Sequence, residues 1–144
     1  MSRQKHAFTL IELVVVILIL GILAGVGAPK LFKTSGAATE NGLRQTLSII
    51  RDGIELYSAD NAGTYPACAT DGVADFQVSM KNYIRGTFPK SPVGTGDNLI
   101  TVSAADPLVA DNATGWMYNT TTGEFICNCT TATPTNPAVT YDDL

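Results

Sequence analysis

A lone carboxylate, Glu12, interrupts an apolar run that is otherwise long enough to cross a membrane. Behind it, residues 13–28 are all apolar or Gly, 16 in succession, and residues 8–10 carry the run outward past the acid. Residues 8–28 make about 30 Å of α-helix, the thickness of a bilayer core. An ionised side chain within such a span costs several kcal/mol, so the acid implies a use. Arg3 and Lys5 precede the run. They hold the N-terminus in the cytoplasm and leave whatever follows Lys30 outside, making a single-pass inner-membrane protein with an external head.

A secretory signal peptide shares the basic start and apolar centre, and Ala24-Gly25-Val26-Gly27-Ala28 supplies the small residues that a cleavage site needs. A removable signal has no use for Glu12, however, and its apolar run is usually shorter.

The basic leader, then Phe8-Thr9-Leu10-Ile11-Glu12, then Gly21 and Pro29, resembles the N-terminus of the type IV pilin superfamily. That group includes type IV pilins and the pseudopilins of type II secretion. The resemblance covers residues 1–33, and it implies cleavage by a prepilin peptidase between Ala7 and Phe8 and N-methylation of Phe8. It further implies polymerisation of the chain with copies of itself by inner-membrane pilus or secretion machinery. The family usually carries Gly just before the cut. Ala7 is the next smallest side chain, so processing is expected to slow without stopping.

Cleavage before Phe8 gives Glu12 a partner. The new α-amino group and Glu12 lie four residues apart, about one turn, and share a helix face. In a filament, Glu12 of one subunit neutralises the amine of its neighbour, and only in one axial register; specifying register is the best-attested use of a buried ion pair. The alternative is that Glu12 sits at headgroup level, where nearness to the helix end softens its cost.

The helix is expected to continue to about residue 61. Leu43, Leu47, Ile50, Ile54 and Tyr57 recur at spacings of four, three, four and three, an apolar stripe with Arg44, Gln45, Arg51, Asp52 and Glu55 on other faces. The stripe packs on the protein's own core, and the whole helix would be roughly 80 Å long. Pro29 removes one internal hydrogen bond, and Gly36, Gly42 and Gly53 each cost about 1 kcal/mol relative to Ala. Asp60-Asn61-Ala62-Gly63 supplies the stop. Gly21-x-x-x-Gly25 lets neighbouring helices approach closely in an apolar medium. The resemblance implies that the segment around Pro29 bends or unwinds locally in a filament. The expected division is residues 1–7 leader, 8–29 transmembrane and polymerisation helix, 30–62 amphipathic helix, and 63–144 head.

The head is rich in Thr, Asn, Gly, Asp and Pro with short apolar patches, which with the long helix predicts an α+β arrangement, the helix packed on a small antiparallel β-sheet; the resemblance implies that this is the pilin fold. Residues 75–84 read as a short helix or an irregular packed segment, and residues 99–102 as a strand. Residues 116–119 and 124–128 flank Thr120-Thr121-Thr122-Gly123 as a hairpin. Phe76, Tyr83, Phe88, Trp116, Tyr118 and Phe125 are its candidate core. A head of this size buries little apolar surface, so covalent help is expected. Outside the cytoplasm disulfides persist. Cys127 and Cys129 alternate onto one strand face, so either is expected to reach Cys68. Closing that loop would contribute about 4 kcal/mol. Cys68–Cys127 is favoured, with Cys68–Cys129 the alternative.

Catalysis has no candidates. The one histidine, His6, falls in the leader, and neither a G-x-S-x-G nor a Gly-rich phosphate loop is present. Three Cys without suitably spaced His make a poor zinc signature. No cofactor is expected except possible calcium in an acidic loop, and Asp106-Pro107-Leu108 lacks the Trp-Gly that follows Asp-Pro in calcium-binding major pseudopilins. Losing Arg3 and Lys5 takes the formal charge from −4 to −6, leaving no basic patch for nucleic acid. Asn112, Asn119 and Asn128 begin glycosylation-like triplets. Three functions follow: a type IV pilus subunit for adhesion, twitching or DNA uptake; a pseudopilin whose periplasmic filament drives protein export; and an anchored protein that never polymerises. Glu12 with Phe8 argues against the third, and the expected reading is the pilus subunit, with the pseudopilin as alternative.

Overall fold

Thr-x-x-Glu directly before an apolar run is a helix start signal, and Thr9 and Glu12 use it. The computed structural model describes residues 8–69 and 73–144; the leader expected at residues 1–7, with Ala7, lies outside the described residues. The Thr9 N–H and hydroxyl both donate to Glu12 Oε2, at 2.9 and 2.8 Å, and the Glu12 N–H returns to Thr9 Oγ1 at 3.4 Å. Helix α1 then spans Leu10–Asp60. It runs through Pro29, whose ring nitrogen has no hydrogen for the Gly25 carbonyl. It stops at the expected place: Ala62 and Gly63 turn left-handed (φ 54° and 83°), and the Gly63 N–H reaches back to the Ser58 carbonyl at 2.8 Å.

The chain divides into two units, Met1–Ser35 and Gly36–Leu144. In the first, residues Leu10–Ala28 have a mean hydropathy of 2.8, and none of this span is buried.

The second unit contains the core. Leu43, Leu47, Ile50 and Ile54 are buried and Tyr57 packs at their edge, as the stripe predicts. Full burial of such side chains contributes about 1.5–3 kcal/mol each. Helix α2, Val73–Met80, brings Phe76 and Met80 to the same cluster. A Cβ on Gly53 would stand 2.8 Å from Met80 Cε, so this glycine, costly to the helix, permits the close approach of α2. Phe76 stacks on Phe125 (6.0 Å) and meets Tyr118 edge-on (4.8 Å). The buried polar tips have partners: Trp116 Nε1 donates to the Pro89 carbonyl and the Tyr118 hydroxyl to that of Pro66, both at 3.1 Å.

Three strands, β1 (Ile100–Val102), β2 (Trp116–Tyr118) and β3 (Phe125–Cys127), lie in the order β1-β2-β3. The β2–β3 hairpin is antiparallel, with Met117 opposite Ile126. Its turn uses the predicted glycine: Gly123 has φ 77°, and a Cβ there would strike the Tyr65 ring. The Asn119 side chain accepts from the Thr121 and Thr122 N–H groups at 2.8 and 3.2 Å. The sheet is mixed, however, and not wholly antiparallel, because β1 pairs parallel with β2. Parallel neighbours need a connection of about a dozen residues. Residues 103–115 provide it by crossing the outer face of the sheet, where Leu108 and Ala110 pack on Met117 and Ile126. Both faces of β2 and β3 are thereby buried.

Candidate functional site

Between Phe8 and Val26 the first unit exposes its large apolar side chains. Phe8 is 82% exposed, and the large apolar residues through Val26 are all open. That surface belongs in lipid or against other helices, and the span fits a membrane-anchored subunit. Gly21 and Gly25 have nothing within 4 Å of an added Cβ, so the chain's own fold does not require their small size. Gly21 instead floors a shallow groove lined by Val14, Ile17, Leu18 and Ile22. A second groove, lined by Phe8, Ile11, Val15 and Val16, contains Glu12. Glu12 and Gly21 are nine residues apart, about half a turn out of phase, so these two residues lie on opposite sides of the helix and the two grooves open on different sides of it.

Both Thr9 hydrogen bonds fall on Glu12 Oε2. Oε1 has no hydrogen bond among the described residues. The capping role of Thr9 is an addition to the expected site. Its signal was present in the Thr-x-x-Glu spacing, which periodicity alone does not register. Of the expected assembly residues, Phe8, Glu12, Gly21, Gly25 and Pro29 all lie in or immediately before α1, and Ala7 lies outside the described residues.

The other candidates are in the second unit. Cys68, Cys127 and Cys129 are buried in one apolar cluster, and among the described residues no disulfide joins them. Cys127 Sγ lies 3.6 Å from Ser91 Oγ, and Cys129 packs beside Gly94. Burial pushes the Cys127 thiol up to about 11, which favours its protonated form at neutral pH. Asn119 and Asn128 are each only 1% exposed, with side chains committed to internal hydrogen bonds, so neither can take a glycan in the folded head. Among the described residues no three His, Cys, Asp or Glu side chains converge to hold a metal ion.

Two charged residues taken for solvent-facing or left unremarked hold the head to its helix. Arg51 donates from Nε to the Phe125 carbonyl and from Nη1 to that of Leu144, both at 3.0 Å. Glu40, 4% exposed, accepts from the Thr135 hydroxyl and pairs with Arg44 at 3.0 Å. The Thr135 hydrogen bond holds the Glu40 carboxyl below the usual range.

Comparison with known proteins gives a consistent result. The family model for the prokaryotic N-terminal methylation motif matches residues 2–28. Type II secretion system core protein G of Klebsiella pneumoniae is 29% identical over 109 residues, covering 69% of this chain and 76% of that protein. The protein of the same name from Vibrio cholerae serotype O1 is 30% identical over 102 residues, 64% of this chain and 68% of its own length. That from Pseudomonas aeruginosa is 35% identical over 65 residues, 45% of either chain. No solved structure matches.

Proposed function

The chain belongs to the superfamily of type IV pilins and type II secretion pseudopilins, and we propose that within it this protein is a pseudopilin, the subunit of a filament that serves protein export. The observation that carries filament formation is the exposed apolar helix with two separate grooves on different sides, one containing a carboxylate and the other glycine. A lipid anchor alone needs neither feature. A polymer needs one contact face for the neighbour ahead and another for the neighbour behind. The export role is supported by the names of the relatives.

On this reading prepilin peptidase cuts between Ala7 and Phe8, and Phe8 is then methylated. Arg3 and Lys5 keep the N-terminus cytoplasmic until assembly, which leaves the head in the periplasm. Glu12 Oε2 continues to cap the helix while Oε1 accepts the amine of an adjacent subunit, so one side chain serves both ends of that contact. Gly21 and Gly25 admit a neighbouring helix on the opposite face. Pro29, where α1 already lacks a hydrogen bond, is where the helix yields as subunits pack. The disulfide from Cys68 to Cys127 or Cys129 stays part of the proposal. It is supported by their common burial in one cluster and is checked by non-reducing peptide mapping of protein recovered from the envelope.

The pilus reading draws support from one observation, the absence of Trp-Gly after Asp106-Pro107. Deleting the gene separates the two. Loss of exported proteins from the medium with surface filaments unchanged supports the pseudopilin. Loss of surface filaments with export intact moves the protein to the pilus class.

A further inference from the structure

Two surface features of the head are open to solvent. The first is a loop tip. Val109 is 71% exposed, although its neighbours Leu108 and Ala110 are buried against Met117 and Ile126. The loop is held on both sides: the Leu108 N–H donates to Glu124 Oε2 at 2.9 Å and the Asp111 N–H to Asn128 Oδ1 at 2.7 Å. Val109 therefore stands out from a fixed base, and the exposed carboxylates Asp106 and Asp111 flank it. The second is an open cleft of about 460 Å³ along α2, with Val78, Ile84 and Phe88 in its walls and Lys81 at its rim. Val78 is 72% exposed, and Arg85 follows Ile84 at the surface.

We propose that the head docks head-to-tail on a second copy of itself, with the Val109 loop of one copy seated in the α2 cleft of the next. The charges decide the occupant. An apolar tip between two acids fits an apolar cleft beside two bases, and both halves belong to this chain. Met117 and Ile126 point away from the core that α2 covers, so tip and cleft lie on opposite sides of the sheet. One copy can then offer both at once, and each added copy leaves one tip and one cleft unused. Such a heterologous contact propagates without closing, the requirement for a filament. The inference rests on the filament reading above and adds the contact between heads.

Cysteine pairing tests it. Val78→Cys and Val109→Cys replace exposed side chains, and the three native thiols are buried. Filaments released from the envelope of lysed cells expressing the double variant, oxidised with copper phenanthroline and run on a non-reducing gel, should give a ladder of covalent multimers. Either single variant should remain monomeric. Adding Lys81→Glu and Arg85→Glu should abolish the ladder. Filaments without a ladder, a ladder from either single variant, or a ladder that survives the charge reversal would each overturn the contact while leaving the filament reading in place. Failure of the unmodified chain to form any filament would sink that reading, and the contact with it.

Discussion

The two units of this chain handle apolar surface in opposite ways. From Gly36 on, apolar side chains are buried against one another: the α1 stripe, Phe76 of α2 and the aromatic residues of β2 and β3 form one cluster. Ahead of it, an equally apolar segment covers nothing and is covered by nothing. Glycine follows the same division. Gly53 and Gly123 are required by close neighbours in the head, whereas Gly21 and Gly25 face open space. The same residue types thus carry two kinds of information, one about the chain itself and one about its surroundings.

The largest effect that separates the units is expected at Glu12. Glu12→Gln keeps size and removes charge, so the protein should still insert in the membrane and still be cleaved. Leaving the neighbour's amine buried without a partner costs about 3–5 kcal/mol at every subunit. Filament yield should collapse with membrane abundance unchanged, as counted by electron microscopy of filaments released from the lysed envelope and by fractionation. Normal filaments would break the register argument.

Next come paired truncations. Leu47→Ala removes a fully buried side chain and should destabilise the head by about 2–5 kcal/mol in denaturant titration of the detergent-solubilised protein. Ile17→Ala, in the exposed unit, should leave that transition unmoved. Equal shifts from both would erase the distinction drawn between the units.

The glycines sharpen the comparison on a smaller scale. Gly123→Ala forces a left-handed φ and a clash with Tyr65, and should cost more than about 1 kcal/mol. Gly21→Ala should leave the head's stability alone, or raise helix stability by up to about 1 kcal/mol, yet reduce filament number by filling the groove.

The smallest effect is on acid stability. Hydrogen bonds hold the carboxyls of Glu40, from Thr135, and Asp111, chiefly from the Ala113 N–H, below their unfolded values. Groups depressed in this way contribute stability above their unfolded values, near pH 4, and that contribution is lost as the pH falls through the folded values. Melting of the head should therefore shift downward below about pH 4. Glu40→Gln should flatten part of that acid limb.

Much of this architecture was legible in residue spacing. The stripe from Leu43 to Tyr57 and the hairpin around Gly123 follow from periods of 3.6 and 2 and from one turn residue. The parallel pairing of β1 was not legible, because strand propensity carries no direction; the return path over the outer face depends on Leu108 and Ala110 finding Met117 and Ile126. Nor was the anchoring by Arg51, since a guanidinium on the polar side of a helix looks solvated until two distant carbonyls arrive beside it. Glu40 is hidden for the same reason, its partner Thr135 being 95 residues away. At the proposed assembly site the residues are local in the sequence, while on that proposal what they touch belongs to another molecule.

The hold of Arg51 on the Phe125 carbonyl has one more consequence. β3 is an outer strand, and an outer strand with open carbonyls is a template on which any other chain can add itself. A subunit stored at high density in a membrane would meet that hazard continually. With strands of only three residues and a guanidinium on one of the outer carbonyls, the sheet offers a poor seed for amyloid-like growth. On the proposed function, a chain that polymerises through its helix is kept from doing so through its sheet.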